Sequence, residues 1–167
     1  MSKTILIFDT SLLCCLLRIP GKDTCGPLRD RWNHDRVQLL IESHRNSVFV
    51  LPLATIIETG NHISQATGDR FALAQHFSVY LRYAASGATP WAAFSEQTDL
   101  WKPEQLIRLC DDWPILASAN ISIGDATIKD VAEFYSKAGY RVEIATGDAG
   151  LKAYETTSVL SVPRRRQ

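Results

Sequence analysis

Apolar residues lie in short blocks along this chain, and the spacing within each block predicts the type of element. Residues 5–8 (Ile-Leu-Ile-Phe) are apolar without alternation, which is typical of a strand buried on both faces of a parallel sheet. Similar short apolar runs recur further along the chain. We predict strands over residues 5–8, 48–51, 141–145 and 158–162.

Helical spacing fills the segments between these strands. Apolar positions three and four residues apart predict helices over residues 12–17, 30–44, 69–85, 103–112, 126–138 and 150–155, and one that Pro52 opens. Residues 87–102 have weak periodicity, and we predict a loop or lid there. Because strands alternate with helices, we expect an α/β domain with a mainly parallel sheet.

The composition is that of one globular domain. The chain has 167 residues, of which 46% are hydrophobic and 22% are charged, and domains commonly have roughly 100 to 200 residues. We expect a single domain over residues 1–163 and a basic tail over 164–167. Lysine plus arginine number 18, as do aspartate plus glutamate. Bulk electrostatics alone therefore cannot drive nucleic-acid binding, and any such contact needs a local basic patch.

The placement of the cysteines and the lengths of the apolar runs indicate the cellular compartment of the protein. The four cysteines form no Cys-x-x-Cys pair, and Cys14 and Cys15 lie in an apolar run where free buried thiols are common. No apolar run approaches the ~18 residues that a membrane span needs. We therefore expect a cytoplasmic protein in a reducing environment, with no membrane partner.

Four carboxylates follow the predicted strands. Asp9 comes directly after the first strand, and Glu58 lies about two helical turns beyond the second. Asp125 opens the predicted helix over 126–138, and Asp148 follows the third strand. Ligands of open α/β sheets bind outside the carboxyl ends of the strands. The order of elements therefore predicts that these four side chains meet at one edge of the sheet.

A cluster of this kind has a specific chemistry. Like charges raise one another's pKa, and a fold tolerates them where a cation binds or where some members stay protonated. Oxygen ligands without cysteine or histidine partners favour Mg²⁺ or Mn²⁺ over zinc. Mg²⁺ is usually shared between carboxylates and substrate phosphates, so the pattern indicates hydrolysis of a phosphoryl substrate by a metal-activated water.

Four segments around these residues resemble the PIN domain family of nucleases. They read Ile-Phe-Asp9-Thr-Ser, Leu-Pro-Leu-Ala-Thr-Ile-Ile-Glu58, Gly-Asp125-Ala-Thr-Ile and Ala-Thr146-Gly-Asp148-Ala-Gly-Leu, and the matches run from residue 4 to about 151. The resemblance implies a PIN-like three-layer sandwich with a central, mainly parallel sheet flanked by helices. It also implies a Mg²⁺- or Mn²⁺-dependent endoribonuclease that cleaves single-stranded RNA.

The resemblance also assigns roles to the residues of the site. Asp9, Glu58, Asp125 and Asp148 match the acidic positions that hold the metal, and Thr146 matches a hydroxyl residue that contacts a carboxylate or the attacking water. Many PIN proteins of this size are toxins of toxin–antitoxin pairs. RNA is then the substrate, and a cognate antitoxin protein and a homodimer are candidate partners. Residues 86–113 and the tail depart from the family pattern.

Other interpretations of the same residues stay open at this stage. Asp9, Asp125 and Asp148 each precede a predicted helix and could act only as helix caps, and Glu58 could lie on a solvated helix face. One alternative function is a catalytically silent PIN-like module that binds RNA or protein. Another is a phosphatase of the haloacid dehalogenase type, although Ser11 stands where that family has its second aspartate.

Overall fold

The sheet has three parallel strands in the order β2-β1-β3, in a computed structural model that describes residues 3–155. The strands are β1 (Thr4–Phe8), β2 (Val48–Val50) and β3 (Arg141–Ala145). The first three predicted strands and their parallel pairing are thereby confirmed. The predicted strand over 158–162 and the basic tail lie outside the described residues.

Helices connect and cover these strands, so the α/β class is confirmed. They are α1 (Thr10–Leu17), α2 (His34–Ser43), α3 (Leu53–Gln65), α4 (Arg70–Ser86), α5 (Pro103–Ser118), α6 (Ile123–Lys137) and α7 (Ala149–Lys152). Two 3₁₀ helices span Leu28–Asp30 and Phe94–Trp101. Between residues 3 and 155, no helix is long and apolar enough to cross a membrane.

Apolar cores lie on both faces of the sheet because successive side chains of β1 point in opposite directions. Leu6 and Phe8 belong to a buried cluster with residues of α1, α2 and α4. Ile5 and Ile7 belong to a second cluster, built mainly with α6 and β3. β1 is therefore buried on both faces, as its uninterrupted apolar run predicts, and its carboxyl end lies at the centre of the sheet edge.

Several helices begin or end at residues other than those predicted, in most cases because a side chain caps the helix. The predicted helix over 30–44 begins only at His34, because Asn33 caps it by accepting a hydrogen bond from the backbone N–H of Arg36. Trp32 pairs with Cys25 instead. Ser122 starts α6 three residues before the predicted start at 126, and Asp9 starts α1 at Thr10. α7 is shorter than the predicted 150–155.

The predicted end of α5 at residue 112 is wrong. The helix continues through Pro114 to Ser118. Proline lacks the N–H that would bond to the carbonyl of residue 110, which is Cys110. Cys110 is exposed, so water can satisfy that carbonyl and the helix tolerates the proline.

The prediction of a loop or lid over residues 87–102 is correct for the irregular residues 87–93 and wrong for Phe94–Trp101, which form a 3₁₀ helix. The segment packs into the core. The centroid of the Trp91 ring lies 5.4 Å from the centroid of the Phe8 ring and 5.5 Å from that of the Phe49 ring. The buried side chain of Gln97 donates a hydrogen bond of 3.0 Å to the carbonyl of Leu51. These contacts make the segment part of the scaffold.

Candidate active site

Asp9 lies at the centre of the carboxyl edge of the sheet. Its backbone N–H donates to the carbonyl of Ala145 at 3.0 Å, which joins the ends of β1 and β3. The residue is only 6% exposed. Its Oδ1 accepts from the backbone N–H of Thr10 at 2.7 Å, so Asp9 does cap α1. Its Oδ2 accepts from the hydroxyls of Ser11 at 2.7 Å and Thr146 at 2.8 Å, which is more than capping requires.

Thr146 joins Asp9 to Asp148. The threonine is buried, and its Oγ1 also accepts from the backbone N–H of Asp148 at 3.0 Å. Asp148 is exposed, and its Oδ1 caps α7 by accepting from the N–H groups of Gly150 and Leu151. Capping uses Oδ1 alone, so Oδ2 of Asp148 takes no part in the cap.

Glu58 reaches the same edge from α3. Its Oε2 accepts from the hydroxyl of Thr10 at 2.9 Å. Its Oε1 lies so close to Gly124 of α6 that a Cβ atom on that glycine would collide with the carboxylate. Glycine at 124 therefore lets α6 approach Glu58, and Glu58 is half-buried between the two helices.

Asp125 follows this glycine in the first turn of α6. The N-cap is Ser122, whose hydroxyl accepts from the backbone N–H of Asp125 at 3.0 Å. The interpretation of Asp125 as a helix cap is therefore wrong. Burial raises the pKa of its carboxyl, and the negative charges of Asp9 and Asp148 raise it further, against an opposing hydrogen bond with Ser122. Asp125 thus shares one electrostatic environment with Asp9 and Asp148.

None of these four carboxylates forms an ion pair with a side chain of residues 3–155. In residues 3–155, every ion pair involves other acidic groups, and Lys152, the nearest lysine in sequence to Asp148, pairs with Glu155 at 2.9 Å. The described side chains also include no group of three or more histidines, cysteines, aspartates or glutamates close enough to form a metal site as they stand. The four predicted residues are linked in steps, through Thr10, Gly124 and Thr146.

A groove runs beside Asp148. It has a volume of about 440 Å³ and lies between the segment with Pro27 and Trp32 and the start of α7, with Lys152 in its wall. The guanidinium of Arg36 stacks over the Trp32 ring at 3.9 Å from its centroid. The groove therefore presents an aromatic side chain near Asp148, whereas Lys152 and Arg36 are paired with Glu155 and Asp30.

Ser11, Gly124 and Trp32 are members or neighbours of this site that the sequence pattern did not predict. Ser11 and Gly124 stand beside predicted acidic residues, but their roles depend on contacts with residues far away in the chain. Comparison of the chain with known protein families, with curated protein sequences and with solved structures gives no match. A functional assignment therefore depends on the residues and their geometry.

Proposed function

We propose that this protein is a Mg²⁺- or Mn²⁺-dependent endoribonuclease that cleaves single-stranded RNA, built as a PIN-like three-layer sandwich. The observation that carries the proposal is the set of four carboxylates at one sheet edge, none of which has an ion-pair partner among residues 3–155. The raised pKa of Asp125 supports it, because burial and two neighbouring charges destabilise its ionised form. A cation relieves that cost.

The donor chemistry fits a hard divalent ion. Asp9, Glu58, Asp125 and Asp148 offer only oxygen ligands, and Oε1 of Glu58 and Oδ2 of Asp148 are not used by the hydrogen bonds described above. These four residues would hold the ion. When bound, Mg²⁺ or Mn²⁺ lowers the pKa of a water molecule and offsets the charge on the phosphate oxygens.

The neighbouring hydroxyls position the carboxylates. Ser11 and Thr146 both donate to Oδ2 of Asp9, so this carboxylate is fixed from two segments. Thr10 holds Glu58. Fixed orientation matters because catalytic groups that are placed before the substrate binds need no reorganisation during the reaction.

The groove beside Asp148 suits a nucleotide next to the scissile phosphate. Trp32 offers an aromatic surface at the groove, and the bases of single-stranded nucleic acids stack on such surfaces.

The two alternative functions are less well supported. A phosphatase of the haloacid dehalogenase type needs a second aspartate two residues after the nucleophile, and this chain has Ser11 there. Ser11, at the position of the second aspartate, is a donor to Asp9. A silent binding module has no use for carboxylates that repel one another.

The proposal extends to partners. Following the family resemblance, the protein acts as the toxin of a toxin–antitoxin pair, with a homodimer as a second assembly. Exposed apolar side chains on α5, which are Leu106, Ile107 and Ile115, offer a surface for a protein partner. A small DNA-binding protein encoded in the neighbouring reading frame would support this part of the proposal.

A cleavage assay tests the activity. We expect purified protein to cut a fluorescently labelled single-stranded RNA in Mn²⁺ or Mg²⁺, to leave 5′-phosphate and 3′-hydroxyl ends, and to stop in EDTA. Asp125→Asn should slow cleavage at least ~100-fold, because the loss of one ligand charge costs several kcal/mol of transition-state stabilisation. Asp130→Asn is the matched control, since Asp130 lies on the same helix and burial also raises its pKa. Cleavage at full rate in EDTA would overturn the proposal.

A further inference from the structure

Two cysteines stand close together behind the candidate active site. The thiol of Cys15, which is fully buried in α1, donates to the sulfur of Cys25 across 3.6 Å. Cys25 is half-buried in the segment between α1 and α2, and both thiols are free. We propose that Cys15 and Cys25 form a reversible disulfide that controls the candidate active site.

The backbone holds Cys25 in position for this bond. Its N–H donates to the carbonyl of Trp32 at 3.2 Å, and the N–H of Trp32 donates back to the carbonyl of Cys25 at 2.8 Å. The sulfur of Cys15 lies beneath this pair, 4.0 Å from the same Trp32 carbonyl. A disulfide bond is about 2.05 Å long, so the two sulfurs need to approach by roughly 1.5 Å.

Cys25 also touches the backbone of the candidate active site. Its sulfur fills the space beside Gly147, where a Cβ atom would come within 2.6 Å of it. The backbone N–H of Gly147 donates to Ser11 at 3.0 Å, and Ser11 donates to Asp9 at 2.7 Å. If the Cys25 sulfur moves towards Cys15, it no longer packs against Gly147. The hydrogen bonds from Gly147 to Ser11 and from Ser11 to Asp9 then lose this support.

A hydrogen bond favours the thiolate of Cys25. The thiol of Cys15 lowers the pKa of Cys25 to about 7, against an opposing effect of burial. The same pairing raises the pKa of Cys15. Burial raises the pKa of Cys14 to about 12. Cys25 is therefore the attacking sulfur, and Cys15 is the thiol that resolves the intermediate.

The oxidant is hydrogen peroxide, and each step is balanced. The Cys25 thiolate attacks one peroxide oxygen, so that an S–O bond forms, the O–O bond breaks, and the leaving hydroxide takes a proton to become water. The sulfur of Cys15 then attacks the sulfenic acid; the S–S bond forms, the S–O bond breaks, and hydroxide leaves with the Cys15 proton as a second water. Two electrons pass from the thiols to the peroxide, and a dithiol reductant reverses the change.

Peptide mapping tests the disulfide without any assay of function. The reduced full-length chain is treated with hydrogen peroxide, remaining thiols are blocked with N-ethylmaleimide under denaturing conditions, and the protein is digested with trypsin. We expect the peptide of residues 4–18 to be linked to that of residues 23–29, with fragmentation placing the bond on Cys15 and Cys25.

Dithiothreitol should release both peptides. Cys110→Ser, which removes the exposed thiol on α5, should give the same link, and Cys25→Ser should give none. The proposal is overturned if N-ethylmaleimide still labels both Cys15 and Cys25 after peroxide treatment, or if the bond involves Cys14 or Cys110 instead.

The control of the candidate active site by the disulfide rests on the proposed function, and the rate of RNA cleavage tests it separately. Misplacing a catalytic group by about 1 Å costs up to ~100-fold in rate, so we expect peroxide to slow RNA cleavage at least ~10-fold and dithiothreitol to restore it. In Cys25→Ser, the ratio of rates before and after peroxide should be one. If the disulfide forms without changing the rate of RNA cleavage, the proposed control of the candidate active site is overturned. Absence of cleavage by the reduced protein would instead refute the proposed function and leave the disulfide to be judged by the peptide map.

Discussion

The hydroxyl of Thr146 donates a hydrogen bond of 2.8 Å to Oδ2 of Asp9 and accepts one of 3.0 Å from the backbone N–H of Asp148. One buried side chain therefore joins the acidic residues that follow β1 and β3. Both bonds need a hydroxyl group, because no purely apolar side chain can donate to the one residue and accept from the other.

Thr146→Val should destabilise the fold by about 1–3 kcal/mol, because valine keeps the shape of threonine but leaves the N–H of Asp148 and the Oδ2 of Asp9 each with one partner fewer. Thermal unfolding measures the loss, and RNA cleavage should fall with it. Thr146→Ser is the control, since it keeps the hydroxyl and gives up one methyl group, worth about 0.8 kcal/mol. Equal stability and activity of the two variants would show that the hydroxyl has no such role.

Gly124→Ala should disturb the site through Glu58. A Cβ atom at residue 124 collides with the Glu58 carboxylate, so the Glu58 side chain must swing out of its place in the site, and we expect at least ~10-fold slower cleavage. Gly60→Ala in α3 is the matched control, because a Cβ atom there meets nothing within 4 Å. Alanine should stabilise that helix by up to about 1 kcal/mol. If Gly124→Ala behaves like Gly60→Ala, the close approach of Glu58 to α6 is not required.

The reactivity of Cys25 should follow its lowered pKa. The thiolate is the form that reacts with iodoacetamide, so the rate of alkylation of Cys25 should rise with pH and reach half its maximum near pH 7, because the pKa is lowered to about 7. A free cysteine reaches this point near pH ~8.5. Alkylation of the native protein at several pH values, with the peptide of residues 23–29 quantified by mass spectrometry, measures the profile. A midpoint at or above that of free cysteine would contradict the hydrogen bond from Cys15.

Much of the fold follows from local pattern, and the exceptions have physical causes. Uninterrupted apolar runs predict the three described strands because a strand buried on both faces needs apolar residues throughout. The segment with Trp91 could not be assigned in this way. Its structure is set by packing against Phe8 and Phe49, which lie far away in the chain, and local periodicity carries no record of such contacts.

The candidate site was predictable in outline only. Asp9 and Asp148 could be found because Asp9 directly follows β1 and Asp148 lies three residues after the end of β3, and parallel strands bring their carboxyl ends to one edge. The contact between Glu58 and Gly124 could not, since it depends on how closely α3 and α6 approach. The same holds for Cys25, whose place beside Gly147 depends on its backbone pairing with Trp32.

The most direct test of the account is whether a divalent ion stabilises the folded protein through Asp125. In EDTA, Asp125→Asn should melt higher than the wild type, because it removes a charge that burial and the neighbouring Asp9 and Asp148 make unfavourable. An ion that binds only the folded state adds about 2.7 kcal/mol at 100 times its dissociation constant, which raises the melting temperature of a chain this long by about 2–4 °C per kcal/mol.

Melting curves of the wild type, Asp125→Asn and Asp130→Asn, each in EDTA and in Mn²⁺, therefore decide the matter. The account predicts that Mn²⁺ raises the melting temperature of the wild type and of Asp130→Asn by the same amount, and that Asp125→Asn loses most of this gain. An equal shift in all three proteins, or no shift in the wild type, would contradict the claim that these carboxylates hold a metal ion.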